Sequence, residues 1–223
     1  MLAARAITPV TYVPHCVNPL GVVPKLGSAK LRLVLNMRFP NSFLRVTKFR
    51  LESLADLRDI VEPDDYTLSF DMTQGYYHVG LHPSSRTFCG FEWRGQFYTY
   101  SVLSFGLATA PRCFAKIMNV LVRLWRRDGV RVIAYLDDWL FLTKRAEAIR
   151  LRDRVLSDCA RAHVAINREK STAHPVKVIT HMGFEVHLRD DFLSRSNHVG
   201  IACRRISGLL ATAVGRPLDN CQQ

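Results

Sequence analysis

Two adjacent acids between two apolar runs constrain this chain more than any other feature. Asp137 and Asp138 follow the apolar, β-branched-rich run 130–134 and precede the apolar run 139–143. An apolar run, an acidic pair and a second apolar run predict a β-hairpin with the acids at its tip. Two carboxylates held that close together raise each other's pKa unless a cation compensates, and their hard oxygens suit Mg²⁺ or Mn²⁺. The hairpin is therefore a candidate metal site.

A third carboxylate stands at the end of another predicted strand. Apolar and polar side chains alternate over residues 66–71, which predicts a half-buried strand that ends at Asp71. If the two strands neighbour each other in one sheet, three carboxylates meet, and such a group can hold two metal ions that clamp both oxygens of a phosphoryl transfer. The alternative for a lone Asp-Asp pair is a solvated turn. We interpret the pairs 64–65 and 190–191 in that way.

Around these acids the sequence resembles the fingers and palm of a reverse transcriptase, over about residues 18–186. Five segments carry the resemblance, in the order that the family has them. They are the fingers segment (VVPK at 22–25 with RLVLNMR at 32–38), the first palm motif (FDMTQGYY at 70–77), the second (SFGLATAP at 104–111), the third (YLDD at 135–138) and the primer-grip hairpin (HMGFEV at 181–186). The sequence of residues 49–54 and 105–107 is similar to that of retrotransposon enzymes and suggests the DIRS type, which carries a tyrosine recombinase.

The resemblance implies an α+β fold of the right-hand polymerase type, with fingers, an antiparallel palm sheet backed by helices, and a thumb that is largely missing. It divides the chain into an irregular N-terminal segment at 1–20, fingers at 21–65, a palm at 66–187, and the start of a thumb or a frayed tail at 188–223. The palm includes a fingers insertion at about 80–103 and the primer-grip hairpin. A doubly wound parallel sheet is not expected, because two-residue turns join antiparallel strands only.

Two further hairpins are predicted from local patterns. A fingers hairpin rises over 21–24, turns at Gly27-Ser28 and returns over 31–35, and a second hairpin at 88–100 turns at Arg94-Gly95. Both turns contain glycine, which adopts the positive φ that tight hairpins need.

Helical spacing of apolar residues predicts three helices, at 51–61, about 111–127 and about 146–162. Proline in the first turn and glycine just beyond the end support the bounds of the second helix. Its predicted apolar face consists of Phe114, Ile117, Met118, Leu121 and Trp125. The arginines of the third helix are interpreted as a solvated face.

The resemblance implies that Asp71, Asp137 and Asp138 are the catalytic residues and that they bind two Mg²⁺ (or Mn²⁺) ions. Both ions are assigned to Asp71 and Asp137, with Asp138 closer to the ion on the primer side and the Met72 carbonyl as a further ligand. Lys170 lies in a region similar to the motif that offers a proton to the leaving pyrophosphate.

The nucleotide-binding residues that the resemblance implies are Lys25, Arg32, Met72, Tyr76, Phe105 and Gly106. Lys25 and Arg32 would face the triphosphate, and Tyr76 would exclude a 2′-hydroxyl. The primer grip would be Met182 and Gly183. From the residues alone, Lys25 and Arg32 as ordinary surface cations and Tyr76 as a core aromatic remain open alternatives.

Composition constrains partners and compartment. The chain has 31 Lys and Arg against 19 Asp and Glu, a formal net charge of +12, which suits a polyanion. Its six cysteines show no zinc-ligand spacing, and we interpret them as reduced thiols. Without a signal peptide or an 18-residue apolar span, we expect an intracellular protein of the cytoplasm and/or nucleus with no membrane partner. The sequence does not determine the oligomeric state.

The predicted function is that of an RNA-directed DNA polymerase, whose partners are an RNA or DNA template with a primer, and dNTPs. Two departures from the family pattern, Asn36 for a common Asp and Ser104 for a common proline, remove no metal ligand. One alternative is a catalytically inactive nucleic-acid-binding remnant of a mobile element. A primer-extension assay would distinguish it from an active polymerase. A third candidate is an RNA-dependent RNA polymerase, which comparison of dNTP and rNTP incorporation would separate.

Overall fold

Antiparallel strands make up the sheets of this chain. The structure is a computed structural model that describes residues 1–24, 31–188 and 201–205, the last five by their backbone alone. The strands are β1 (Ile7–Val10), β2 (Leu20–Pro24), β3 (Leu31–Leu35), β4 (Asp65–Asp71), β5 (Gly90–Trp93), β6 (Gln96–Tyr100), β7 (Arg131–Tyr135), β8 (Asp138–Lys144), β9 (Thr172–Val176), β10 (Val178–His181), β11 (Phe184–Leu188) and β12 (Ile201–Arg205). The helices are α1 (Arg38–Ser42), α2 (Pro83–Arg86), α3 (Ala110–Arg127) and α4 (Ala148–Arg161), with 3₁₀ turns at Asp56–Asp59, Gly75–His78 and Thr87–Cys89.

The central sheet has the strand order β7-β8-β4-β9 and places Asp71 opposite Asp138. The predicted strand ending at Asp71 is confirmed, but its half-buried character is wrong. Thr67 and Ser69, on its polar side, are only 0% and 5% exposed. The Thr67 hydroxyl donates to the Val176 carbonyl of β9 at 2.9 Å, so a buried hydroxyl is satisfied there. The alternation therefore marked two buried faces.

Helices α3 and α4 pack over the same core as the central sheet, and both predicted helices are confirmed. α3 has Pro111 in its first turn and ends just before Gly129, whose φ is +80°. One predicted member of its apolar face is wrong, because Ile117 is 46% exposed. Val122 takes its place in the core with 1% exposure.

The helix predicted over 51–61 is wrong, since only Asp56–Asp59 form a single 3₁₀ turn there. The Asp56 carboxylate accepts from the Ser53 backbone N–H at 2.8 Å and from the Ser53 hydroxyl at 3.0 Å. Such local bonds offer the backbone an alternative to helical hydrogen bonding. The apolar residues still pack on the second face of the sheet, where Leu57 is 0% exposed. The spacing of these apolar residues therefore indicated burial against the sheet and not a helical conformation.

The N-terminal segment predicted to be irregular contains a strand, so that part of the prediction is wrong. β1 is an edge strand of the sheet β1-β6-β5, with Pro9 opposite Tyr98. Proline has no N–H to donate, but an edge strand leaves one row of backbone groups without a partner strand. Pro9 is therefore compatible with the pairing of β1 at this edge.

The pair 64–65 was predicted to be a solvated turn, and for Asp65 this is wrong. Asp64 is exposed, whereas Asp65 is 1% exposed and lies between two cations. Its Oδ1 accepts from Arg131 at 2.7 Å and from Lys144 at 2.9 Å. Burial works to raise the pKa of Asp65, but these two cations and the Glu62 N–H hold it below its usual value.

The predicted hairpins are confirmed, except that the turn at Gly27-Ser28 lies outside the described residues. β5 and β6 turn at Arg94 and Gly95, with φ of +52° and +78°. β10 and β11 turn at Met182 and Gly183, with φ of +52° and +77°. Positive φ at both turn residues matches the right-handed twist of hairpin strands.

The pair 190–191 and the predicted thumb segment beyond residue 205 also lie outside the described residues. β12 pairs with β11 and extends the β10-β11 hairpin to three strands. Among the helices described here, none is long and apolar enough to cross a membrane.

Candidate active site

The three predicted acids meet at one edge of the central sheet. Asp71 ends β4, and Asp138, directly opposite, begins β8. Asp137 lies in the turn between β7 and β8, after Leu136, whose φ is +51°. The Met72 N–H donates to the Asp137 carbonyl at 2.8 Å, which ties the chain after β4 to this turn. Acids remote in sequence are thus brought together by strand pairing and a cross-strand hydrogen bond.

The edge carries more negative charge than its cations balance. Burial raises the pKa of Asp71; the Lys170 ammonium, 3.8 Å from its Oδ2, opposes this, and the charges of Asp137 and Asp138 add to it. Burial likewise raises the pKa of Asp137, with Asp138 adding to the rise and Lys170 and Arg32 opposing it. Carboxylates that are desolvated and close to one another favour a bound cation.

The donors suit a divalent metal in chemistry, but they do not form a closed cage. Among the residues that the structure describes, no three acidic, His or Cys side chains are close enough together to hold an ion. The charge of Asp137 contributes to the raised pKa of Asp71, whereas Asp138 Oδ1 lies 3.2 Å from His181 Nδ1. Two carboxylates with added backbone, solvent or substrate oxygens fit the way Mg²⁺ is held beside phosphates. The Met72 side chain is buried in the core, so only its backbone is available for such a role.

Tyr76 lies between the core and the acids. Its ring contacts Phe105 at 5.0 Å between centroids and the buried Phe114 at 5.5 Å. Burial raises the pKa of Tyr76 to about 12, with the charge of Asp137 contributing. A Cβ on the preceding Gly75 would come within 3.0 Å of both Asp137 Cβ and Phe114 Cζ. Glycine at this position therefore allows the Tyr76 segment to pack directly against the acidic turn.

Arg32 of β3 reaches the same site from the fingers. Its guanidinium lies 4.7 Å from the centroid of the Phe105 ring, and its charge lowers the pKa of Asp137 and of Tyr76 against the larger effect of burial. The second predicted cation of the hairpin, Lys25, lies outside the described residues.

Gly106 allows a close backbone contact with the fingers. Its φ is +106°, and an added Cβ would lie 2.0 Å from the Leu35 carbonyl oxygen. The Leu35 N–H donates to the Phe105 carbonyl at 3.1 Å, and the Asn41 side-chain amide donates to the Gly106 carbonyl at 2.9 Å. The glycine thus joins the second palm motif to strand β3. A close approach to nucleotide, which was our expectation, stays a prediction.

Several site residues were missed or underrated in the sequence. The Asn167 N–H donates to the Asp71 carbonyl at 2.8 Å, and the Ser171 hydroxyl accepts from the Asp71 N–H at 3.1 Å. His181, beside Asp138, has a side chain with 0% exposure. A polar residue on the inward side of an alternating strand was the signal for His181. The other two carried none, because they lie in a loop.

Comparison with known proteins agrees with this geometry. The family model for reverse transcriptase (RNA-dependent DNA polymerase) matches residues 26–186. The genome polyprotein of Petunia vein clearing virus is 27% identical over 177 residues, 79% of this chain and 8% of that protein. The retrovirus-related Pol polyprotein from transposon 412 of Drosophila melanogaster is 26% identical over 175 residues, 74% of this chain and 14% of that protein.

A solved structure has the same fold. The foamy viral protease-reverse transcriptase in complex with double-stranded DNA superposes with a TM-score of 0.72 at 23% identity, covering 83% of this chain and 32% of that one. The fold is therefore that of polymerase fingers and palm, an antiparallel palm sheet backed by helices, as predicted. With the family match over 26–186, the chain belongs to the reverse transcriptase family. It spans less than a quarter of the length of the two polyproteins named above.

Proposed function

We propose that this chain is the catalytic core of an RNA-directed DNA polymerase that adds deoxynucleotides to a primer 3′-hydroxyl. The observation that carries the proposal is the meeting of Asp71, Asp137 and Asp138 at one sheet edge, where Asp71 pairs with Asp138 and the Met72 N–H donates to the Asp137 carbonyl at 2.8 Å. Excess negative charge at this position suits the two-metal chemistry of phosphoryl transfer. Membership in the reverse transcriptase family supports the choice of reaction over RNA-templated RNA synthesis.

In this proposal Asp71 and Asp137 hold two Mg²⁺ (or Mn²⁺) ions, with Asp138 nearer the primer side and the Met72 carbonyl as a further ligand. Such ions, when bound, neutralise charge on the attacking and leaving oxygens. The chain itself contributes position and charge, since a phosphoryl transfer leaves a protein little covalent chemistry to perform. Lys170, 3.8 Å from Asp71, is a cation on the same edge that can donate a proton to the leaving group.

The remaining contacts are assigned by residue. Arg32, with Lys25 of the same hairpin, binds the triphosphate, for which its fork of donors is suited. Tyr76 lies beneath the sugar and excludes a 2′-hydroxyl. Phe105 and Gly106 form the floor of the pocket. The turn at residues 182–183 grips the primer.

The proposed partners are a primed RNA or DNA template and dNTPs. The foamy viral enzyme was solved with double-stranded DNA and with an RNA/DNA hybrid. The net charge of +12 supports a polyanionic partner for this chain. We also propose a retrotransposon of the DIRS type as the source and the cytoplasm and/or nucleus as the compartment. A recombinase frame beside this one in the genome would support the first.

Primer extension on a homopolymer template tests the activity. The parent chain should extend with dNTPs and poorly with rNTPs, and Asp137→Asn should abolish extension because it removes a charged ligand. Asp64→Asn is the matched control, since Asp64 is exposed and has a φ of +59° that Asn tolerates. Template binding without extension by the parent chain would favour the inactive remnant. Preference for rNTPs would favour the RNA polymerase.

A further inference from the structure

A buried histidine touches the catalytic edge without an evident purpose in the core. His181, the last residue of β10, has a side chain with 0% exposure, and its Nδ1 lies 3.2 Å from Asp138 Oδ1. Among the described residues, neither ring nitrogen has an aligned hydrogen-bond partner. Buried polar atoms are nearly always satisfied, and one that is not calls for an explanation.

The position of His181 in the fold supplies that explanation. It directly precedes the turn at Met182 and Gly183, so a single peptide bond separates it from the proposed primer contact. Its backbone pairs with Phe184 across the hairpin, which fixes its side chain on the inward face. The Asp138 side chain that lies beside it is 29% exposed and is therefore not packed on all sides.

We propose that His181 is a positioning residue that donates from Nδ1–H to Asp138 Oδ1 and so couples the primer-grip hairpin to the catalytic edge. The carboxylate oxygen is the acceptor, and Nδ1 carries the proton that it accepts. The hydrogen bond fixes the orientation of the Asp138 carboxylate beside Asp71 and Asp137, on the primer side of the proposed metal site.

This inference deepens the proposed polymerase function and rests on it for its consequence, but the contact itself can be tested independently. Outer-sphere partners of a metal-binding acid orient it, and their loss costs roughly 10–100-fold in metal affinity or activity. His181 would act in this way on Asp138, with the difference that the turn directly after its strand carries the proposed primer contact.

The first experiment observes the contact in the metal-free, full-length chain. In ¹⁵N-labelled protein, the His181 ring signals, assigned through His181→Asn, should show a proton on Nδ1 and should shift in Asp138→Ala, which lacks the acceptor oxygen. His187 is the internal control: it lies on β11, 2.5 Å from Glu185, so its signals should not move. An Nδ1 that carries no proton, or His181 signals unchanged by Asp138→Ala, would overturn the proposal whether or not the chain polymerises.

The second experiment measures the consequence in primer extension. His181→Phe keeps ring volume but removes the donor, and should lower kcat roughly 10–100-fold with little change in the dNTP KM. His181→Asn places an amide N–H near the Nδ1 position and should restore most of kcat. In the Asp138→Ala background, which lacks the acceptor oxygen, His181→Phe should add no further loss, because both changes remove one interaction.

The outcomes separate positioning from packing. A purely structural His181 would lower Tm in the Phe and Asn variants alike, and its kcat loss would add to that of Asp138→Ala. Either additivity, or a kcat for His181→Phe within about twofold of the parent, the usual error of such cycles, would overturn the coupling. If the parent itself fails to extend, the polymerase proposal fails, and the NMR result still decides the contact.

Discussion

At the scale of the residue, what could be predicted was chemistry that a local motif carries. Asp71 and Asp137 lie at one sheet edge as expected, because Asp71 ends a strand and Asp137 follows one, and the apolar pattern of both strands can be recognised in the sequence. Asp65 was misjudged for the opposite reason. Its partner Arg131 is 66 residues away, and the adjacent Asp64 suggested a solvated pair. A carboxylate's environment depends on distant partners that the local sequence does not name.

Tyr76 provides the sharpest test at this scale. Its ring contacts both Phe105 at the pocket and Phe114 in the core, so truncation should change two quantities. Tyr76→Ala should raise rNTP use relative to dNTP, because the ring no longer meets a 2′-hydroxyl. It should also lower the unfolding free energy by less than the roughly 3–5 kcal/mol typical of fully buried aromatics, since the ring is half-buried. Both are measured on one purified variant.

Tyr77→Ala is the matched control for this change. Tyr77 is also half-buried, and burial raises its pKa with no contribution from the acids. It should lose stability to a similar extent without a change in sugar preference. An unchanged rNTP/dNTP ratio in Tyr76→Ala, with a lowered Tm, would assign Tyr76 to the core alone.

At the scale of the element, prediction succeeded where the turn itself is encoded. Arg94-Gly95 and Met182-Gly183 each adopt two positive φ values, as glycine-containing two-residue turns require. It failed for β1 and for residues 51–61, whose conformations are set by contacts far along the chain. β1 forms because β6 is there to pair with it, and the apolar residues around Leu57 are held by the sheet rather than by helical bonds.

The joint between fingers and palm should depend on one glycine. Gly106→Ala would place a Cβ 2.0 Å from the Leu35 carbonyl at a φ of +106°, so β3 or the loop must move. We expect destabilisation beyond the roughly 1–2 kcal/mol of a left-handed non-glycine residue, together with a loss of extension activity. Denaturant unfolding and primer extension measure the two effects.

Gly95→Ala is the control that isolates the clash. Gly95 has a φ of +78°, but nothing lies within 4 Å of its would-be Cβ. Only the backbone cost should remain, and activity should be retained. Equal losses of stability in the two variants would show that the contact with Leu35 has no energetic weight.

At the scale of the whole molecule, the two ends of β4 carry opposite charge arrangements. At Asp65 the acid is balanced by Arg131 and Lys144, and its pKa is lowered. At Asp71, burial raises the pKa against the opposing charge of Lys170, and the charges of Asp137 and Asp138 add to the rise. One strand thus begins at a structural ion pair and ends at an acid whose charge costs stability until a cation is present. Stability and function are separated along its length.

The raised pKa values at the Asp71 end of β4 predict that removal of the Asp137 charge stabilises the metal-free protein. An acid whose folded pKa is raised reduces stability when ionised, and the cost disappears as the pH falls through that folded pKa. Asp137→Asn should therefore raise Tm in chelator at neutral pH, and the gain should shrink as the pH approaches the ordinary carboxyl value of 3.8. A lower Tm at neutral pH would show that Asp137 is held by favourable contacts and would contradict the charge imbalance.

The Asp65 end of β4, where the pKa is lowered, predicts the opposite dependence of stability on pH. Because the folded pKa of Asp65 lies below its ordinary value of 3.8, its contribution is fully present above that value and is lost as the pH falls below it. Breaking a buried pair costs roughly 3–5 kcal/mol, and Asp65→Asn should fall near the lower end because Arg131 and Lys144, 21% and 39% exposed, keep contact with water. Denaturant unfolding should show this loss at neutral pH and a much smaller one below pH 3.8, with Asp64→Asn nearly neutral throughout. A loss that does not diminish in acid would mean that Asp65 contributes through packing and neutral hydrogen bonds rather than through its charge.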